Sequence, residues 1–60
     1  MMNVYTMFGL QIMEVGRREA KALNIVEPAF IVRETGRFGK YRDVFPSLEA
    51  AILYVRNQKV

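Results

Sequence analysis

The residue types that most often carry chemistry are scarce in this chain. It has no His and no Cys, which removes the common nucleophile–base pairs and the usual zinc ligand sets. Ser47 is the single serine, and its place just before an apolar-periodic run reads as a helix cap. The six carboxylates are spread along the chain. Glu34, Asp43 and Glu49 each have a cationic or dipolar neighbour, and no two are spaced for acid–base work. Thr35-Gly-Arg-Phe-Gly-Lys40 has the look of a phosphate loop, but the full P-loop spacing and its Ser/Thr are missing. Its setting is also a hairpin turn rather than a strand-to-helix turn. The expectation is a non-enzymatic protein without cofactor or metal.

One constellation remains. Arg33, Phe38, Lys40 and Arg42 share one face of a hairpin pattern, with Arg37 at its turn. A two-stranded ribbon fits the major groove of DNA, where Arg and Lys reach guanine edges or phosphates, and an aromatic among cations can stack on a base. These five are the candidate nucleic-acid-binding residues. The alternatives are a solvated sheet face, where Arg and Lys discourage edge pairing, and a surface for a protein partner.

The elements that must hold them are Ala29–Glu34 and Phe38–Phe45, both rich in β-branched and aromatic residues. Gly36 supplies the positive φ that a tight turn requires. With Thr35-Gly36 as a two-residue loop, Glu34 faces Arg37, Val32 faces Gly39 and Phe30 faces Tyr41. Alternation then puts Phe30, Val32, Tyr41 and Phe45 on a core face, and Ile31, Arg33, Phe38, Lys40, Arg42 and Val44 on the outer one. A slip of one residue in the turn would exchange this division. After Pro46 the period changes. Ser47 caps a helix expected over 48–58, with Glu49 in its first turn and Arg56 and Lys59 near its end, as the helix dipole favours. Leu48, Ala51, Ile52 and Val55 form one apolar stripe, which would cover the core face of the hairpin. Leu53 points away from that stripe and Tyr54 lies at its edge. Either Leu53 is an ordinary exposed leucine, or the two form a surface for self-association or a partner.

Sixty residues make a single domain, 1–60, near the lower size for a core without disulfides or metals. An apolar fraction of 52% is too high for a disordered chain, and a core this small is often completed by dimerisation. The net charge of +3 permits contact with phosphate or an acidic surface without demanding it. Met1–Gly16 carries one charge, Glu14, and all nine cations fall between Arg17 and Lys59. Met1–Val15 lacks the features of a secretory signal and is too short and polar to span a bilayer. A cytoplasmic, non-membrane protein is expected. As a strand, Val4, Phe8, Leu10 and Ile12 share a face; as a helix, Gly9 and Gly16 would each cost about 1 kcal/mol relative to Ala. The β-favouring run Asn3–Phe8 decides for a strand, with Gly9 as a bulge or turn. The four Met residues read as core filler. Arg17–Leu23 consists of helix formers ending at Asn24. Its Arg17, Arg18 and Lys21 form either a solvated face or a phosphate contact. Pro28 keeps Glu27 out of a helix.

Residues 37–55 resemble the end of the AP2-like arm-type DNA-binding domain of phage and transposon integrases. The resemblance rests on Phe45-Pro-Ser-Leu-Glu-Ala50, similar to that family's "F-x-(S/T)-x-x-E-A" helix start with Glu-Ala one place early, and on Lys40, Tyr41 and Arg42 at its basic strand. It covers about a third of the chain. The resemblance implies a three-stranded antiparallel sheet that lies in the major groove. With no integrase catalytic domain present, it implies a free-standing accessory or regulator of a mobile element or phage.

The sequence therefore leads to an α+β domain. Its antiparallel sheet consists of an N-terminal strand and the 29–34/38–45 hairpin, packed on the C-terminal helix, with a short helix near 17–23. The expected function is a small regulatory protein that binds nucleic acid through the outer face of its hairpin. The alternative is a protein-interaction or inhibitor module, with a homodimer as one form, for which Leu53, Tyr54 and the apolar N-terminus would supply the interface.

Overall fold

A computed structural model describes residues 2–58. Strands β1 (Met2–Met7), β2 (Leu10–Glu14), β3 (Phe30–Glu34) and β4 (Tyr41–Phe45) form one antiparallel sheet in sequence order. Helix α1 (Arg17–Leu23) connects β2 to β3, and α2 (Leu48–Arg56) follows β4. This is the expected α+β architecture, with one strand more than the sequence suggested.

The extra strand arises at Phe8-Gly9. Both residues have positive φ, 56° and 74°, so Met7 pairs directly with Leu10 across a two-residue turn. The N-terminal segment is a hairpin rather than one strand, and the expected shared face of Val4, Phe8, Leu10 and Ile12 is replaced. Leu10 and Ile12 are buried, Val4 packs at the core's edge beside a register break, and Phe8 is 51% exposed at the turn.

The core lies between the sheet and α2. Ile12, Val32, Ala51 and Val55 are completely buried, with Leu10 beside them, and each large aliphatic residue removed from water this way stabilises by roughly 1.5–3 kcal/mol. Phe30, Phe45, Leu48 and Ile52 close the edges, as the helical and strand periodicities predict. Helix α2 starts where expected: the Ser47 hydroxyl accepts a hydrogen bond from the Ala50 amide at 3.1 Å. It ends at Arg56 rather than 58, and Lys59 lies outside the described residues. Tyr54 is half-buried, its ring tilted against Phe45 at 5.2 Å. It is therefore part of the packing, whereas Leu53 is exposed.

A second, smaller cluster forms on the opposite face. Val15, Ala20, Ala29 and Ile31 are buried together, with Ile25 against them. Asn24 takes the left-handed conformation and ends α1, and the Ile25 amide turns back onto the Ala20 carbonyl at 2.8 Å. Ile31, expected on an open face, is thus covered.

Phe8 holds a backbone conformation that costs a bulky L-residue roughly 1–2 kcal/mol. Asn adopts it at less cost. Phe8→Asn should raise stability in urea unfolding by about 1 kcal/mol; Ser47→Ala should lower it by about 1 kcal/mol.

Candidate nucleic-acid interface

The register between β3 and β4 decides where the candidate side chains go. Phe30 pairs with Phe45, Ile31 with Val44, Val32 with Asp43 and Arg33 with Tyr41. Arg42 is the unpaired residue of a β-bulge, and Thr35–Lys40 form a six-residue loop. The expected two-residue turn and its pairings are therefore replaced. Gly36 does have the expected positive φ, +103°. Gly39 is required for another reason: a Cβ there would run into the Glu34 carbonyl, beside the close Glu34 amide to Lys40 carbonyl bond of 2.8 Å.

The bulge exchanges Tyr41 and Arg42. Tyr41, expected in the core, is 66% exposed on the outer face, where Arg33 lies over its ring at 6.0 Å. Arg42, expected on the outer face, turns toward the α2 side. Its guanidinium contacts the Glu34 carboxylate through Nε and Nη2, each at 2.9 Å. That carboxylate, followed by the Tyr54 side chain, holds the Arg42 pKa above its ordinary value. Glu34 is correspondingly lowered, chiefly by the hydrogen bond from the Lys40 amide and then by Arg42.

Arg33 is also engaged. Its Nη2 donates to the carbonyls of Gly36 at 3.2 Å and Gly39 at 3.3 Å, so it braces the loop from inside. Thr35 ties the same loop to the first hairpin: its amide and hydroxyl both donate to the Gly9 carbonyl, at 2.9 and 3.2 Å. The braced loop presents Phe38, 87% exposed, between exposed Arg37 and Lys40. Among the described residues, Arg37 has no ion-pair or hydrogen-bond partner for its side chain.

Of the five candidate residues, the structure thus gathers Arg37, Phe38 and Lys40 at the sheet's loop end, with Arg33 as their support and Arg42 facing elsewhere. Phe8, which the sequence reading placed in a strand, joins this end. Its signal was the Phe-Gly pair, since a glycine between two β-favouring runs marks a turn. The Arg17/Arg18/Lys21 cluster lies on α1 at the opposite end of the sheet, where Arg17 approaches Glu27 at 3.9 Å.

An apolar groove of about 380 Å³ runs beside β4, lined by Leu23, Ile25, Ile31, Tyr41 and Val44 together with Arg42 and Asp43. Among the described residues, no group of three His, Cys, Asp or Glu could hold a metal ion, and no helix is long and apolar enough to cross a membrane. Comparison with family models, curated proteins and solved structures returns no match.

The depressed Glu34 pKa fixes a sign. Its contribution to stability is present above the ordinary glutamate pKa of about 4.3 and is lost as pH falls through the lowered folded value. Acid unfolding of Glu34→Gln should therefore show a smaller loss of stability below about pH 4.3 than the parent. Gly39→Ala should disorder the loop, read as a lost 35–40 backbone pattern in amide exchange.

Proposed function

We propose that the protein is a small non-enzymatic accessory or regulatory protein that binds nucleic acid through its loop end, with Arg37 and Lys40 on phosphates and Phe38 against a base or sugar. The carrying observation is where the charge lies. Arg33–Arg42 contains four cations and one carboxylate, and the remaining five cations and five carboxylates cancel, so this segment accounts for the whole net charge of +3. A positive patch of this kind attracts a phosphate backbone before any contact forms. The near-complete exposure of Phe38 supports the same reading, because a braced loop that gives this ring no packing leaves its face for an incoming one.

This reading moves the contact from the sheet face, which the integrase-domain resemblance implied, to the loop end. A flat sheet-face contact would need Arg42 beside Arg33, and the bulge turns Arg42 to the other side. A second reading, a protein-interaction module, rests on the apolar groove beside β4 rather than on Leu53 and Tyr54, since Tyr54 is engaged with Phe45.

The test is binding to mixed-sequence DNA, duplex and single-stranded, at two salt concentrations. Micromolar or tighter binding that weakens with salt is expected. Arg37→Ala should reduce the slope of log K against log salt by about 1. Lys40→Ala should reduce it by a similar amount. Absence of binding at low salt would overturn the proposal and turn attention to the groove.

A further inference from the structure

The first hairpin ends in a feature its own folding does not explain. At Phe8 a two-residue turn places a large aromatic in a left-handed conformation, where Asn or Gly would be less strained. The ring gains little from burial there, being half exposed. Strained residues held by the surrounding structure are concentrated at functional sites. Here the strain puts Phe8 at the same end of the sheet as Phe38.

The connection between the two turns is direct. Strands β2 and β3 are neighbours, with Leu10 opposite Glu34; Phe8 lies just before one and Phe38 just after the other. The double contact from Thr35 to the Gly9 carbonyl locks the two turns together, and Arg33 braces the longer one. Two exposed rings therefore stand on tied turns at one end of the sheet, and the longer turn also carries exposed Arg37 and Lys40.

We propose that Phe8 and Phe38 together bind two bases of one single-stranded nucleic acid, so that the loop end selects single strands over duplex. The proposal rests on the nucleic-acid reading above and adds its substrate class. The chemistry favours a single strand because a duplex keeps its base faces stacked inside, whereas an open strand offers each face to an aromatic. Stacking is tolerant of sequence, since every base has a π-face, and the cations need only follow the backbone. The experiment uses the absence of Trp from the chain. Phe8→Trp and Phe38→Trp, made separately, each introduce one indole whose fluorescence reports a base stacked upon it. The probe is a short oligothymidylate, alone or annealed to its complement, at low and moderate salt. Expected are quenching of both indoles by the single strand and a preference for it over duplex of about tenfold or more. Phe8→Ala should weaken single-strand binding by about tenfold with the salt slope unchanged, because the ring carries no charge. Phe8→Asn, which suits the turn, should weaken it equally, separating loss of the ring from damage to the fold. Salt-sensitive binding that is equal for both forms, with the Phe8→Trp indole unquenched, would overturn this proposal and leave the nucleic-acid reading standing. No binding of either form would overturn both.

Discussion

One extra residue in β4 governs how this small sheet presents itself. Between Tyr41 and Asp43 the strand holds Arg42 with nothing opposite it on β3, and a bulge of this kind re-aims the side chains around it. Strict alternation would bury Tyr41 and expose Arg42. With the bulge, Arg42 meets Glu34 on the helix side and Tyr41 meets Arg33 on the other. Arg33 is then held where its guanidinium reaches two loop carbonyls. The loop's shape, and the projection of Phe38 from it, follow from that placement.

The same logic divides the molecule by task. One face of the sheet is taken by α2, whose Ala51 and Val55 sit on Ile12 and Val32. The other carries the cluster of Val15, Ala20, Ala29 and Ile31 at its α1 end, with Tyr41 and Val44 exposed beside it. Connectivity puts α1 at one end of the sheet and both hairpin turns at the other. That second end has the least packing to satisfy and the most freedom to carry exposed aromatic and basic side chains. Its rigidity comes from hydrogen bonds to carbonyls, through Arg33 and Thr35, rather than from a core.

How much of this was legible in the sequence depended on whether the signal was local. The α2 stripe, the Ser47 cap and the Asn24 helix end are set by spacing within a turn or two, and the structure has them where the sequence placed them. The hairpin register is not local. Thr35-Gly36 satisfies the chemistry of a two-residue turn, and nothing within those two residues reveals that Gly39 must pass against the Glu34 backbone. With that approach the loop runs from Thr35 to Lys40, β4 begins at Tyr41 and the bulge falls at Arg42. Phe8 was misplaced for the same kind of reason: aromatic residues favour strands, and here Gly9 and the pairing of Met7 with Leu10 overrode that preference.

The two edges of the sheet show how the chain limits pairing with itself. On β4 the Asp43 carboxylate accepts the Val44 amide at 2.8 Å, occupying a donor that an added strand would need, and Arg42 and Asp43 place charge along the same edge. Such devices oppose edge-to-edge association. Strand β1 carries no charged residue from Met2 to Met7; its protection is geometric, through the register break between Asn3 and Tyr5, which interrupts the regular ladder a partner would have to match. Asn3 and Thr6 further engage each other at 3.1 Å. With one edge guarded by charge and the other by an irregular backbone, the loop end is left as the region where exposed aromatic rings and unbalanced positive charge coincide. The bulge that guides Arg42 away from the outer face therefore serves both arrangements, setting charge along the β4 edge and leaving Arg33 to shape the loop.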